Sequence, residues 1–135
     1  MIKNDAREKE SVISIKNLKK SFGSLQVLDG VNLNIKLGEN LAVLGKSGSG
    51  KSVLIKIISG LLKPDEGTVT VLGLEVDKIS PVALRALRSK IGFSFQNSAL
   101  YDSMTVRENL AFPLIRNNTN LSKTEIQHAI EEVLN

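Results

Sequence analysis

The amino-acid sequence predicts an α/β fold in which an N-terminal antiparallel β-subdomain precedes a strand–loop–helix unit. Two segments near the N-terminus, VISIKNL and VNLNI, alternate apolar and polar residues, as half-buried strands do. A continuous apolar run, residues 41–44, then leads into a glycine-rich loop, and apolar residues at helical spacing follow that loop. These three observations together predict the fold class.

The composition is that of one globular domain. The chain has 135 residues, of which 41% are hydrophobic and 24% charged, and it contains no cysteine, which excludes a disulfide framework. Most of the net charge of +4 comes from residues 1–20, which hold six basic and three acidic side chains. Because aromatic residues make up only 4% of the chain, we expect no nucleic-acid partner. Residues 1–10 are interpreted as a charged extension and residues 11–135 as the domain.

The first elements follow from apolar spacing. The run at residues 41–44 predicts a central strand that is buried on both faces. From Lys51 onward, apolar residues recur every three or four positions, which predicts an amphipathic helix, and the sequence KPDEG after it is typical of a turn. The residues on the apolar face of this helix are Val53, Leu54, Ile57, Ile58 and Leu61.

The later elements are marked by alternation and by capping residues. GTVTVLG and IGFSFQ are interpreted as strands, with a helix between them that begins at Ser80 as N-cap and Pro81 as first helical residue. Two further helices are predicted by serine or threonine followed three positions later by glutamate. These capping boxes are Thr105 with Glu108 and Ser122 with Glu125.

The sequence LGKSGSGKS, residues 44–52, carries the strongest chemical signal. It matches the pattern G-x-x-x-x-G-K-[ST], and the predicted strand before it and helix after it are the context that a P-loop NTPase core requires. Glycines allow consecutive N–H groups to converge on phosphate oxygens, while Lys51 can reach the outer phosphates and the Ser52 hydroxyl can bind magnesium. A glycine-serine linker that matches by accident is the alternative. The predicted nucleotide-binding residues of the loop are Gly45, Lys46, Ser47, Gly48, Ser49, Gly50, Lys51 and Ser52.

The flanking sequence resembles a known family. The segment from LKKSFGSLQVLDG to KPDEGTVTVLG, and then IGFSFQNSALYDSMTVRENLAFPL, is similar to the first part of an ABC transporter ATP-binding subunit. The resemblance covers nearly the whole chain after about residue 11. Within that family the sequence looks most like the ATPases of MCE-type systems, which move phospholipids or other lipids between bacterial membranes.

This resemblance implies roles for two residues outside the loop. Phe22 matches the aromatic residue that stacks on adenine, although a core position at a strand end is the alternative. Gln96 matches the glutamine that helps to bind magnesium and orients the attacking water. Residues 101–109 correspond to the segment near the permease, but a solvated loop and helix start would explain them equally well.

Other polar residues are not assigned to the site. His128 is the only histidine, and it precedes the region in which the family carries its switch histidine, so we expect a solvated helix position. Arg107 and Glu108 are expected on a solvated face. Glu75 and Asp77 imitate a magnesium-binding pair, but Gly73 interrupts the apolar run before them.

Several family motifs are missing from the sequence. It contains no LSGGQ-like signature, no Walker B run of four apolar residues ending in Asp-Glu, and no switch histidine. We therefore expect the first part of a longer subunit, with exposed apolar surface, which binds ATP with Mg²⁺ but hydrolyses it negligibly. The resemblance implies a second ATP-binding subunit in a homodimer, a transmembrane permease, and a location on the inner face of the cytoplasmic membrane.

Two other function classes remain open at this point. One is a small P-loop kinase or GTPase, for which an acceptor site or an N-K-x-D base-recognition motif would be needed, and neither is found. The other is a non-catalytic, nucleotide-responsive binding module. Competition among nucleoside triphosphates would test the first, because stacking on Phe22 selects weakly between bases, and mixing with the cognate permease would test the second.

Overall fold

The structure is a computed structural model that describes residues 10–94, 100–117 and 120–134. Contacts divide the chain into two compact units, Met1–Ile91 and Gly92–Asn135, and each is described by itself. The helices and strands of the described residues are β1 (Ser11–Phe22), β2 (Leu25–Lys36), α1 (Lys51–Ile58), β3 (Glu66–Val71), β4 (Leu74–Glu75), α2 (Pro81–Arg88), α3 (Val106–Asn117) and α4 (Lys123–Leu134).

The first unit is built on an antiparallel sheet with strand order β2-β1-β3-β4. Strands β1 and β2 form a hairpin in which Ser11 lies opposite Lys36 and Phe22 lies opposite Leu25. Gly23 begins the two-residue turn with φ of 59°, a left-handed conformation that glycine adopts without strain. The predicted antiparallel strands VISIKNL and VNLNI are therefore confirmed.

A hydrophobic core lies between this sheet and helices α1 and α2. Helix α1 packs against β3 and buries Leu54 and Ile57, as its apolar spacing predicts. Helix α2 begins as predicted, because Ser80 Oγ accepts a hydrogen bond of 3.2 Å from the Ala83 N–H and Pro81 follows the cap. The buried apolar residues of this core are Ile15, Leu18, Leu28, Leu54, Ile57, Val69, Val71, Val76 and Leu87.

Helix α1 ends earlier than the apolar spacing suggests. Its last residue is Ile58, and Gly60 takes a left-handed φ of 67° just beyond it. Arg88, the last residue of α2, binds the carbonyl groups that follow α1. Its Nε donates to Ser59 O at 3.1 Å and its Nη2 donates to Gly60 O at 2.6 Å. Leu61 consequently lies outside the helix and is exposed, so its predicted place on the apolar face is wrong.

Two predicted strands are not formed. Residues 41–44 have no strand geometry and their side chains are exposed, with Leu44 90% accessible, so the prediction of a strand buried on both faces is wrong. Residues 91–94 of IGFSFQ also lack strand geometry, and the rest of that segment lies outside the described residues. The physical reason is that a strand needs a neighbouring strand for its backbone hydrogen bonds, and the four-stranded sheet of the described residues includes neither segment.

The second unit contains helices α3 and α4, which pack against each other. Both predicted capping boxes are confirmed. The Thr105 N–H donates to the Glu108 carboxylate at 2.7 Å, and the Ser122 N–H donates to the Glu125 carboxylate at 2.8 Å. In the described part of the chain, no helix combines the length and the apolar character needed to cross a bilayer.

Candidate functional site

Residues 45–50 form a curled loop that runs directly into helix α1. Gly48 and Gly50 adopt φ angles of 80° and 89°, which side-chain-bearing residues rarely adopt. A hydrogen bond of 3.2 Å from the Ser49 N–H to Lys46 O closes a turn inside the loop. The two glycines therefore bend the main chain where the motif predicts that it must bend.

Gly50 fixes the loop against strand β2. A Cβ atom at this position would lie 3.0 Å from Val27 O and 2.9 Å from Leu28 Cδ2, so only glycine allows this approach. Gly50 itself is buried, whereas residues 41–49 are exposed. The C-terminal end of the loop is thus held on the sheet, while the rest of the loop faces outward.

Lys51 reaches back across the loop. Its Nζ donates to Gly45 O and to Lys46 O, both at 2.7 Å, and lies 3.4 Å from Ser49 Oγ. A Cβ atom on Gly45 would lie 2.5 Å from Ser49 Oγ and 3.8 Å from the ammonium group, so the loop closes tightly around this position. The arrangement places one positive charge within the curve of the loop, where its carbonyl partners could be exchanged for phosphate oxygens.

Helix α1 adds a partial positive charge at the same place. Its first intrahelical hydrogen bond runs from the Leu54 N–H to Gly50 O at 2.9 Å. The preceding N–H groups have no intrahelical acceptor, and the first turn contains no acidic residue. The N-terminal end of the helix dipole and the Lys51 ammonium therefore both favour an anion here.

Ser52 lies in the first turn of α1 with an exposed side chain. A hydroxyl oxygen at this position suits a hard cation such as Mg²⁺, whose remaining ligands would be water and phosphate oxygens. Gln96, the other predicted magnesium ligand, lies outside the described residues, and the structure does not position it. Bound Mg²⁺ would neutralise charge on phosphate oxygens.

Phe22 lies at the end of the β1–β2 hairpin and is half-exposed, at 49% of its surface, so it is not a core residue. Its antiparallel partner Leu25 precedes Val27, against which Gly50 packs, by two positions. Cross-strand partners lie about 5 Å apart and two strand residues advance about 7 Å, which places Phe22 on the order of 10 Å from that contact. A nucleotide separates its base from its terminal phosphates by a similar length.

The rejected candidates lie where the sequence predicts. His128 and Arg107 are exposed on α4 and α3. Glu108 serves the helix cap, and the hydrogen bonds from the Thr105 N–H and then from the Thr105 hydroxyl hold its pKa below the usual value. Glu75 forms an ion pair of 2.6 Å with Lys78.

Sequence reasoning missed two residues that organise these segments. Asn109 donates from its side-chain amide to Tyr101 O and to Met104 O and accepts from the Tyr101 N–H at 2.8 Å, which folds residues 101–109 onto the start of α3. Lys20, whose Nζ lies 5.5 Å from the centre of the Phe22 ring, was also missed. A lysine two positions before an exposed aromatic residue on a strand was the available signal for the second.

A family model described as ABC transporter matches residues 28–135. The chain belongs to the ABC transporter family. The curated relatives of this ABC transporter chain include a probable ribonucleotide transport ATP-binding protein from Mycobacterium leprae, 40% identical over 90% of the chain and 35% of the relative. They also include a methionine import ATP-binding protein from Halalkalibacterium halodurans, 42% identical over 92% of the chain and 37% of the relative.

A third relative of the ABC transporter chain is a sulfate/thiosulfate import ATP-binding protein from Mesostigma viride, 48% identical over 76% of the chain and 28% of that protein. The chain thus spans about a third of the length of the curated relatives that it matches. The predicted family is confirmed, whereas none of these three relatives is named as an ATPase of an MCE-type lipid system.

Solved structures show the same fold. The ATP-binding cassette MJ0796, determined as a dimer in a post-hydrolysis state with ADP and Pi, matches with a TM-score of 0.77 and 36% identity over 89% of the chain and 54% of that cassette. The cbiO1 protein from Clostridium perfringens, part of an ABC transporter complex, matches with a TM-score of 0.79 and 30% identity over 93% of the chain and 50% of its own. The predicted class, a partial P-loop NTPase core with an N-terminal antiparallel β-subdomain, is confirmed.

Proposed function

We propose that this ABC transporter chain binds ATP with Mg²⁺, and that residues 11–135 are the N-terminal part of an ATP-binding domain that energises transport. The observation that carries the proposal is the position of the Lys51 ammonium, 2.7 Å from two loop carbonyl oxygens and beside the N-terminus of α1. Two sources of positive charge in one glycine-rich curve favour the terminal phosphates of a nucleotide.

The individual roles in this proposal come from the loop motif and from the family resemblance. The loop N–H groups and Lys51 bind the phosphates, and Ser52 with Gln96 binds magnesium. Phe22 stacks on the base, since its half-exposed ring offers an aromatic face to any base. The loop residues assigned to the nucleotide are Gly45, Lys46, Ser47, Gly48, Ser49, Gly50, Lys51 and Ser52.

The working assembly is the next part of the proposal. It contains a second ATP-binding subunit, a transmembrane permease, and a position on the inner face of the cytoplasmic membrane. Support comes from similar proteins, one of which was solved as a dimer, while another, cbiO1, is described as part of an ABC transporter complex. Residues 101–109, which Asn109 holds in a defined conformation, are the proposed contact with the permease.

Cargo is a separate and finer proposal. Relatives with 40–48% identity carry names that specify ribonucleotide, methionine and sulfate or thiosulfate. Overall sequence identity to this chain therefore does not identify the transported substrate. We propose a lipid cargo on the resemblance of three shorter segments, GKSGSGKSVL, IISGLLKPDEG and FQNSALYDSMTVRENLAFPL, to MCE-type ATPases. Co-purification of the subunit with its permease and analysis of the bound lipid by mass spectrometry test this assignment.

Titration of Mg-ATP into the chain tests the central proposal. We expect binding by the wild type and a loss of at least tenfold in affinity for Lys51→Ala, because a charge-assisted phosphate contact is removed. Lys56→Ala is the matched control, since Lys56 lies exposed in the last turn of the same helix and carries the same charge. Absence of binding by the folded wild type, or equal affinities for the two variants, would refute the proposal.

Turnover is expected to be negligible for these 135 residues. The sequence provides neither the Asp-Glu pair nor the signature that the family uses for hydrolysis, and phosphoryl transfer depends on positioning such groups. Steady-state phosphate release should therefore equal that of Lys51→Ala. Release clearly above that variant would show that the chain supplies its own catalytic groups.

A further inference from the structure

Lys20 connects the proposed base-stacking residue to a distant turn. Its Nζ lies 5.5 Å from the centre of the Phe22 ring, within the range of a cation–π interaction. The same Nζ donates to Asp65 Oδ1 at 2.6 Å. Only 13% of the Lys20 side chain is exposed, so its aliphatic stem is packed rather than free in solvent.

Asp65 is itself held in place by β1. Its N–H donates to Lys19 O at 3.0 Å, and its Oδ2 accepts a hydrogen bond of 2.7 Å from the Ser21 N–H. Lys19 O therefore holds the backbone of Asp65, and the Ser21 N–H holds its carboxylate. A fixed carboxylate fixes the ammonium, and the ammonium in turn lies beside the aromatic ring.

We propose that Lys20 is a positioning residue for adenine binding, which orients and polarises the Phe22 ring so that a base stacks on the side away from the ammonium. The inference rests on the proposed function, because it assumes that Phe22 contacts the base. With Lys20 beside the ring, the exposed half of the Phe22 side chain remains open to a ligand. A ring that is already held loses less conformational freedom when the base binds.

This role differs from that of an ordinary surface ion pair. A pair that only stabilises the fold would affect every ligand equally, whereas a contact that acts through Phe22 affects only ligands that carry a base. Inorganic triphosphate has the phosphates of ATP without the base, so it separates the two possibilities.

The experiment measures the affinities of Mg-ATP and of magnesium triphosphate for Lys20→Gln and Lys19→Gln. Lys19 is the matched control, because it is adjacent, carries the same charge and pairs with Glu66 at 2.8 Å. We expect Lys20→Gln to weaken ATP binding about threefold to tenfold relative to Lys19→Gln, and the two variants to bind triphosphate equally. Lys20→Arg should return ATP affinity to within about twofold of the wild type, since a guanidinium also stacks on an aromatic face.

A second set in a Phe22→Ala background completes the test. There, Lys20→Gln should no longer change the ratio of ATP to triphosphate affinity, because the ring through which it acts is gone. The inference is overturned if Lys20→Gln loses equal affinity for ATP and for triphosphate. It is also overturned if Lys20→Gln still weakens ATP binding in the Phe22→Ala background. Either result leaves the proposed function intact. If Phe22→Ala alone leaves the affinity ratio unchanged, or the wild type binds neither ligand, the assignment of Phe22 fails and the role of Lys20 fails with it.

Discussion

The contact of Gly50 with strand β2 gives the sharpest prediction about this site. Substitution by alanine adds a Cβ atom 3.0 Å from the backbone oxygen of Val27 and 2.9 Å from Leu28 Cδ2. The backbone atom cannot rotate away, so the loop or the strand must move. The same substitution also places a side chain at a φ of 89°. Gly50→Ala therefore carries both a conformational and a packing cost.

The two costs can be separated with a second glycine. Left-handed backbone costs an alanine about 1–2 kcal/mol, and overpacking a close contact costs a further ~1–3 kcal/mol. Gly38 has a similar φ of 78°, but a Cβ atom there would meet nothing within 4 Å. Gly38→Ala thus carries the conformational cost alone, and the difference between the variants measures how firmly the loop is held on the sheet.

Urea unfolding followed by circular dichroism is the appropriate measurement. Both variants should unfold at lower urea than the wild type, and Gly50→Ala should unfold on the order of 1 M below Gly38→Ala, given denaturant slopes of about 1–3 kcal/mol per molar urea for small domains. Coincident midpoints for the two variants would refute the reasoning, because they would show that the loop does not press on β2.

The other predictions concern the core, the capping box and acid stability. Ile57→Ala, at a residue that is 1% exposed, should lower the free energy of unfolding by about 2–5 kcal/mol in urea titrations. Ser122→Ala should cost about 1 kcal/mol and reduce the helical circular dichroism signal. Hydrogen bonds from Lys20 first, and then from the Ser21 N–H, hold the pKa of Asp65 below 3.8, so the stability that its charge contributes is lost as pH falls through that lowered pKa. In Asp65→Asn, the free energy of unfolding should therefore depend less steeply on pH in the acid range than in the wild type.

Each of these three predictions has an internal control. Ile55→Ala removes the same atoms from an exposed position of α1, and an effect as large as that of Ile57→Ala would contradict the packing described. Ser122→Asp keeps an N-cap acceptor and should retain the helical signal that Ser122→Ala loses. If the free energy of unfolding of Asp65→Asn decreases at pH values under about 4 as steeply as that of the wild type, the hydrogen bonds of Asp65 are not the cause of that decrease.

The structure was predictable where the interacting residues lie close together in the sequence, and less so where they are far apart. The Ser80 cap, both capping boxes and the β1–β2 hairpin are formed by residues close together in sequence, and their patterns predicted them correctly. The run at residues 41–44 has the composition of a buried strand. Without a paired neighbour among the described residues, however, its backbone groups have no ladder to join and the segment is exposed.

In the candidate site, too, the local motif was predictable and the long-range contact was not. Its loop was identified from the spacing of Gly45, Gly50, Lys51 and Ser52, and the structure forms a curled loop and a helix at those positions. The packing of Gly50 on β2 was not predictable from spacing, because it joins positions more than twenty residues apart. Gln96 remains a prediction from resemblance.

The sequence by itself determined the phosphate-binding motif, the helix starts and the hairpin, because each depends on backbone conformation and hydrogen bonds within a few residues. Only the tertiary structure decided that Lys20 lies between Phe22 and Asp65, since its partner Asp65 is 45 positions away along the chain. Such contacts are set by the pairing of strand β1 with β3, whose register residue spacing alone does not encode.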